Sequence, residues 1–325
     1  MSTRGRAIAI SIAALVVIGV VAVIIAVTRS GDDDAKASST AAAESAVRGF
    51  FTALTAGDAK TALTYLEPPP GFDPATDPLL TDAALGAGHR PEAVQYGAPR
   101  LESGLTFVDV TYQARGEAVQ QAVSLSGSGG SFRVRDVLVG LTATGVEGRP
   151  VSVNGVKMGT DDLNVGVFPG SYEVAVAGNA LFEGETLTVV PQVAMGGETA
   201  AANFGPPDLT GTATAGIQSQ VRKALDKCAA SSSAKTKGCP FWLDAKGKAT
   251  VKWSIKTYPT VKAQVVNVAS GPTVSLSADG KGKVHWSGTY VDASGHSRFG
   301  GGDIPFSIAG SATATASGIK VSLTT

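Results

Sequence analysis

The fold of this chain is decided by two neighbouring strand-like runs, GLTFVDVTYQAR at residues 104–115 and EAVQQAVSLS at residues 117–126. Alternation along the first run places Asp109 on the side opposite to its two valine neighbours. A third strand-like run follows at residues 131–139, and its apolar residues share one face if a small irregularity falls near Asp136. The three runs predict a meander of antiparallel strands with one buried face.

Two helices are predicted ahead of these strands, within residues 44–66 (ESAVRGFFTALTAGDAKTALTYL). Apolar residues recur at the i, i+3, i+4 and i+7 spacing of one helix face, at Val47, Phe50, Phe51 and Leu54. Gly57 can close the first helix and Asp58 can cap the second. A proline run that starts at Pro68 then ends the helical segment.

A helix–Ala-Gly-Asp–helix segment followed by a proline-rich loop and a strand meander resembles the nuclear transport factor two-like (SnoaL-like) cone fold over residues 44–139. The resemblance implies a pocket between the helices and a curved sheet. Some members are isomerases or hydrolases that use an Asp with a Tyr or His, whereas many are binding or stalk modules. The candidate residues here are Asp109, Tyr112, Tyr96 and His89. The alternative for Asp109 is an outward-facing strand residue without a chemical role.

A separate small β domain is predicted at residues 140–192, where Asn154-Gly155 supplies the positive φ angles of a tight hairpin turn. The segments VSVNG and FPGSYEV of this region resemble those of PEGA-like surface domains and TcaA-like membrane proteins. The resemblance implies an extracytoplasmic spacer or interaction module. Residues 193–215 follow, either as a linker or as an edge strand that leads out of the domain.

Residues 216–325 are predicted to form a helix followed by strands at about 249–258, 261–269, 272–277, 283–292, 303–309 and 318–324. The helix ending at Cys228, the loop to Cys239-Pro240-Phe241, and the following Lys-Trp-Ser-Ile and Tyr-Pro segments resemble the C-terminal part of actinobacterial envelope proteins, a likeness that implies no particular activity. The chain has only two cysteines, Cys228 and Cys239, and outside the membrane we expect them to form a disulfide.

Residues 7–27 (AIAISIAALVVIGVVAVIIAV) carry no charge and would span about 31 Å as a helix, enough to cross a bilayer. The arginines of residues 1–6 predict a cytoplasmic N-terminus, with residues 31–325 outside the cell and residues 28–43 as a linker. A cleaved signal peptide and a buried helix are the alternatives. The expected fold class is therefore α+β, with an N-terminal transmembrane helix and strand-rich extracytoplasmic domains.

The zero net charge of the chain conceals a division between two segments. The acidic segment, residues 31–207, has 10 Lys and Arg against 21 Asp and Glu, a net charge of −11. The basic segment, residues 208–325, has 14 Lys and Arg against 6 Asp and Glu, a net charge of +8. Such a difference in net charge between two segments indicates what the protein binds and does not indicate its fold. Either the basic segment contacts an anionic partner, or it docks on the acidic segment.

Outside the membrane, the available anionic partners are wall polymers and lipid headgroups, and nucleic acid is not expected. The candidate binding residues are Lys246, Lys248, Lys252, Lys256, Lys262 and Trp253. A lysine-rich face can instead protect a sheet edge from aggregation. Aromatic residues among lysines can instead be core residues.

Motifs for catalysis or metal binding are incomplete. Ser232 and Lys235 match a Ser-x-x-Lys pattern without the companion motifs of penicillin-binding enzymes. His89, His285 and His296 give no metal-ligand spacing. We therefore predict no enzyme activity, cofactor or metal. The predicted function is a membrane-anchored, extracytoplasmic envelope-binding protein. The alternative is a small-molecule-binding or weakly catalytic cone-fold domain at residues 44–139.

Overall fold

The structure is a computed structural model that describes residues 32–67, 77–128, 130–161, 163–192, 199–245, 249–268, 271–292 and 294–324. Its elements, in chain order, are α1 Asp32–Ala56, α2 Ala59–Tyr65, β1 Glu92–Tyr96, β2 Arg100–Glu102, β3 Leu105–Ala114, β4 Glu117–Ser128, β5 Ser131–Arg135, β6 Val139–Thr144, β7 Val151–Val153, β8 Val156–Lys157, β9 Leu163–Val167, β10 Tyr172–Val176, β11 Glu185–Val189, β12 Ala200–Asn203, α3 Ala213–Ala229, β13 Thr250–Thr257, β14 Thr260–Val268, β15 Gly271–Asp279, β16 Gly282–Val291, β17 Ser297–Phe306, β18 Ala309–Thr315 and β19 Gly318–Thr324.

The expected fold class, α+β with an N-terminal transmembrane helix, is wrong for the part of the chain that the structure describes. Nineteen strands and three helices occupy the described ranges, so this part of the chain is mostly β. Within these ranges, no helix has the length and hydropathy needed to cross a bilayer. The predicted cytoplasmic residues 1–6 and transmembrane residues 7–27 lie outside the described residues. The fold class differs because strands also form in glycine- and alanine-rich segments that lack a clear alternating pattern.

The first unit contains α1, α2 and β1 to β5, and its helices pack on one face of a five-stranded antiparallel sheet. The predicted helical face is confirmed, because Phe50, Phe51 and Leu54 are fully buried. Asp58 caps α2 by accepting a hydrogen bond from the Thr61 backbone N–H at 2.8 Å. However, α1 already begins at Asp32, so most of the predicted linker at residues 28–43 is helical. Alanines and serines at residues 37–43 extend the helix because they fit helical geometry without breaking it.

The second unit contains β6 to β12 in two small sheets, ordered β11-β10-β7-β8 and β12-β6-β9. The predicted hairpin turn is confirmed, with Asn154 at φ 48° and Gly155 at φ 80°. Of the two alternatives for residues 193–215, the edge strand agrees with the structure, because β12 pairs in parallel with β6. The predicted irregularity near Asp136 is also confirmed, since Asp136 has a φ of 49° and separates β5 from β6.

The first and second units share an interface instead of being joined by a free linker. Phe168 of the second unit is buried in the first unit's core, with its ring centroid 6.3 Å from that of Phe50. The Asn154 side-chain amide donates to the Ala84 carbonyl at 2.8 Å. The Ser171 backbone N–H donates to the carbonyl of His89 at 2.9 Å. At the predicted domain boundary between residues 139 and 140, the chain therefore passes from one sheet to the next, and the two units pack against each other.

The third unit contains α3 and β13 to β19, arranged as a three-stranded sheet β13-β16-β17 and a four-stranded sheet β14-β15-β18-β19. One face of α3, with Ile217, Val221 and Leu225, is fully buried against these strands. The predicted disulfide between Cys228 and Cys239 is present. It ties the end of α3 to a loop that leads into β13.

Candidate functional site

The outer face of the β13-β16-β17 sheet is polar and solvent-exposed. Along β13, Val251 and Trp253 are buried, whereas Lys252, Ser254 and Lys256 are exposed. This alternation is expected for an antiparallel sheet that covers a core with one side only. Lys283 on the adjacent β16 is also exposed. We call Lys252, Lys256 and Lys283 the lysine face.

No lysine of this face forms an ion pair with a carboxylate among the described residues. Every ion pair between described residues involves Arg or His as the cation, and none involves a lysine. Lys252 and Lys256 are four residues apart on an extended strand, so their Cα atoms are about 13 Å apart. The lysine face therefore presents separated point charges to the solvent.

One carboxylate lies among these lysines. His285 Nδ1 is 2.7 Å from an oxygen of Asp303, which lies directly across the strand pair. This hydrogen bond is the main cause that lowers the pKa of Asp303, and the positive charges of Lys283 and Lys256 lower it further. Asp303 is therefore ionised at neutral pH, and three ammonium groups against one carboxylate leave the face with an excess of positive charge.

Ser254, His285 and Asp303 form a row across the three strands, because Ser254 pairs with His285 and His285 pairs with Asp303. Serine-based catalysis needs the serine hydroxyl within hydrogen-bond reach of the histidine, together with donors for the developing oxyanion. No hydrogen bond joins Ser254 to His285 in the part of the chain that the structure describes. Among the described residues, the row thus has the histidine and its orienting carboxylate but not the serine–histidine hydrogen bond.

The structure separates the binding residues that were predicted from the sequence. Lys252 and Lys256 share one face, whereas Lys262 lies on β14 in the other sheet of the unit. Trp253 is buried, and its indole N–H donates to the Ser233 carbonyl at 3.0 Å, so its proposed surface role is wrong. Lys246 and Lys248 lie outside the described residues.

The candidate binding residues predicted from the sequence did not include Lys283, Trp242 or Phe299. Lys283 precedes His285 by two residues, so the period of two along β16 could have found it. Phe299 is 80% exposed on β17, where a run of glycines hides the strand pattern. Trp242 is 48% exposed, but no local pattern distinguishes it from the buried Phe241 before it.

The candidate residues predicted for a pocket in the first unit do not lie together in the structure. Asp109 is half-buried on the side of β3 that faces away from the core, and it forms an ion pair with Arg100 at 2.6 Å. Tyr112 lies on the opposite face of β3, fully buried, with its ring centroid 5.8 Å from that of Phe51. Asp109 and Tyr112 therefore cannot act together in one pocket, and the outward-facing alternative for Asp109 agrees with the structure.

The other two candidates in that unit are also partly buried. The ring of Tyr96 packs against Phe51 and beneath the guanidinium of Arg48, and burial raises its pKa. Burial lowers the pKa of His89, which favours its neutral form. Neither residue is joined to Asp109 by a hydrogen bond among the described contacts.

Comparisons of this chain with protein-family models, curated proteins and solved structures found no match. The resemblances to cone-fold and PEGA-like domains therefore stay predictions. Among the described residues, no three His, Cys, Asp or Glu side chains are grouped closely enough to hold a metal ion.

Proposed function

We propose that this protein is a cell-envelope binding protein whose lysine face contacts an anionic polymer of the envelope. The observation that carries the proposal is the exposure of Lys252, Lys256 and Lys283 on one sheet face, where none of them forms an ion pair with another described residue. Lysine is a strongly hydrated point charge on a flexible stem, which suits contacts with repeated anionic groups. Electrostatic attraction of this kind is long-ranged but weakened by salt.

The competing proposal, docking of the basic segment on the acidic one, has less support. All ion pairs between described residues join groups within the same segment, either among residues 44–173 or among residues 285–303. The opposite charges of the two segments are therefore not paired with each other at the described interface. This leaves the positive charge of the basic segment free for an external partner.

We also propose an extracytoplasmic location for the folded region, with residues 7–27 as the membrane anchor. The support is the Cys228–Cys239 disulfide, because such bonds persist mainly in oxidising compartments. In this arrangement, the acidic segment stands next to the membrane and the basic segment lies further along the chain. The lysine face would then meet wall polymers, which are the anionic components beyond the bilayer.

The test uses the full chain in detergent, sedimented with isolated cell walls across a salt series. We expect Lys252→Gln/Lys256→Gln/Lys283→Gln to weaken binding about 100-fold at low salt, from about 1 kcal/mol for each lysine near an anionic surface. The matched control is Lys223→Gln/Lys227→Gln/Lys320→Gln, which removes the same charge from another exposed surface of the third unit.

Equal loss of binding in the two triple variants would show that net charge alone matters and would overturn the proposed face. A second arm replaces walls by vesicles with anionic headgroups. Binding to vesicles but not to walls would replace the polymer by a lipid surface as the partner.

A further inference from the structure

The loop segment of residues 230–245, which follows α3, is held in place by several independent contacts. The disulfide joins Cys239 of the loop to Cys228 of α3. The Leu243 backbone N–H donates to the Ala234 carbonyl at 2.8 Å, which links the two sides of the loop. The Ser233 carbonyl accepts the indole N–H of buried Trp253. These contacts give the loop a fixed shape before any ligand is present.

This fixed loop directs one aromatic residue into the core and the next into the solvent. The buried Phe241 ring lies 5.2 Å, centroid to centroid, from both Trp253 and Phe306. Trp242 follows directly and leaves 48% of its surface exposed. Because Phe241 anchors the chain, the Trp242 indole cannot turn inward without displacing that core contact. The exposed indole is therefore a built feature of the loop.

A shallow groove surrounds this indole and contains groups of both charges. The ammonium nitrogen of Lys235 is 5.7 Å from the centre of the Trp242 ring, within the range of a cation–π contact. The exposed carboxylate of Asp244 lines the same groove. Its other lining residues are Ser233, Ala234, Leu243, Ala245 and Ala249.

We propose that the Trp242 groove binds a pyranose residue that carries a carboxylate. The apolar C–H face of such a ring can stack on the indole, as flat ligands do on exposed aromatic side chains. Lys235 can turn from the indole towards the ligand carboxylate, because its stem is flexible and its ammonium can donate three hydrogen bonds. The Asp244 carboxylate can accept hydrogen bonds from ring hydroxyls, which adds a preference for sugars over flat aromatic acids.

This site goes beyond the proposed function, because it shares no residue with the lysine face and recognises a sugar ring instead of a row of charges. The two contacts differ in their response to salt. Stacking on Trp242 depends little on ionic strength, whereas attraction to the lysine face is screened. Each site can therefore fail without the other.

The experiment is ligand-observed saturation-transfer NMR on the full chain, with N-acetylmuramic acid as the probe and N-acetylglucosamine as its counterpart without the carboxylate. We expect signal transfer to the ring protons of the acidic sugar and at least fivefold weaker binding of the neutral one. Trp242→Ala should abolish the transfer. Lys235→Gln should keep the stacking but reduce the preference for the acid to within twofold.

Phe299→Ala is the matched control, because it removes a second exposed aromatic ring from the same unit and should leave the titration unchanged. Absence of transfer to the wild-type chain, or equal transfer to the wild type and Trp242→Ala, would overturn the site. Sugar binding that persists in a chain that fails to sediment with walls would overturn the lysine-face proposal alone.

Discussion

Two buried tyrosines, Tyr112 and Tyr172, differ in whether their hydroxyl groups have a hydrogen-bond partner. We therefore expect their replacement by phenylalanine to change the free energy of unfolding in opposite directions. The Tyr172 hydroxyl donates to the Phe168 carbonyl at 2.9 Å. The Tyr112 hydroxyl is buried without a hydrogen-bond partner among the described residues. We expect Tyr172→Phe to lower the free energy of unfolding by about 1 kcal/mol and Tyr112→Phe to raise it by about 1 kcal/mol, measured by urea unfolding at neutral pH. Equal destabilisation by both would show that Tyr112 has a partner.

The same residues make the first two units sensitive to alkali. Burial raises the pKa of both Tyr112 and Tyr172 above the ordinary value. Above about pH 10, the unfolded chain releases these protons while the folded protein keeps them, so the unfolded state binds fewer protons and stability falls as pH rises. Each tyrosine contributes a slope of about 1.4 kcal/mol per pH unit there. Tyr112→Phe should therefore make the fall in the free energy of unfolding between about pH 10 and pH 11 less steep, by the contribution of one tyrosine. An unchanged pH dependence would contradict this.

At the scale of elements, the β7–β8 hairpin connects the second unit to the first through the side chain of Asn154. Its amide donates to the carbonyls of Ala84 at 2.8 Å and Ser171 at 3.2 Å, and its oxygen accepts from the Glu173 backbone N–H at 2.7 Å. Asn154 also holds the positive φ of the turn, which alanine disfavours. We expect Asn154→Ala to lower the free energy of unfolding by about 3 kcal/mol, from roughly 1 kcal/mol for each hydrogen bond.

The conservative variant Asn154→Asp separates these contributions. An aspartate tolerates the positive φ of the turn and can still accept the hydrogen bond from the Glu173 backbone N–H. It cannot donate hydrogen bonds to the carbonyls of Ala84 and Ser171. Its stability should therefore fall between those of the wild type and Asn154→Ala in the same denaturant titration. An alanine variant as stable as the aspartate one would show that the side-chain bonds do not hold the two units together.

Elements with a strong local pattern could be predicted from the sequence, whereas elements stabilised by their neighbours could not. The α1–α2 pair has a regular apolar face and a capping aspartate, and both features are local. Strand β17 contains Gly300, Gly301 and Gly302, which have no side chains to show alternation. Those residues are held by β16, whose Trp286 side chain lies over Gly300 and Gly302. Without such a pattern, a single sequence does not show which strand lies next to which in space.

The candidate site shows the same limit. A period of two along β13 predicts that Lys252 and Lys256 share an exposed face, and the structure agrees. The same period places Trp253 on the opposite side, so its burial followed from the pattern that selected the lysines. Lys283 belongs to the lysine face only because its strand, β16, lies next to β13. Lys262 is separated from that face because its strand, β14, belongs to the other sheet of the unit. Both are properties of the tertiary fold.

At the scale of the whole molecule, the third unit joins the rest of the protein through two buried side chains and a few backbone contacts. Phe182 forms a β-bridge with Leu209, and the Thr210 backbone N–H donates to the Leu181 carbonyl at 2.9 Å. Leu181 and Phe182 are buried in the core of the third unit. The start of β15 makes a further close approach, because Gly271 lies against the backbone of Glu147 in the second unit. The position of the lysine face relative to the first two units depends on these contacts.

Gly271 provides a test of this junction, and Gly280 provides its control. Both glycines have a left-handed φ, 104° and 98°, so an alanine at either position is strained by about 1–3 kcal/mol. Only at Gly271 would the new Cβ also collide with the Glu147 carbonyl oxygen, whereas at Gly280 no atom lies within 4 Å. We expect Gly271→Ala to enlarge the radius of gyration in small-angle scattering and to split thermal unfolding into two transitions. Gly280→Ala should lower the melting temperature without either change, and identical behaviour of the two variants would show that the third unit is not held by this contact.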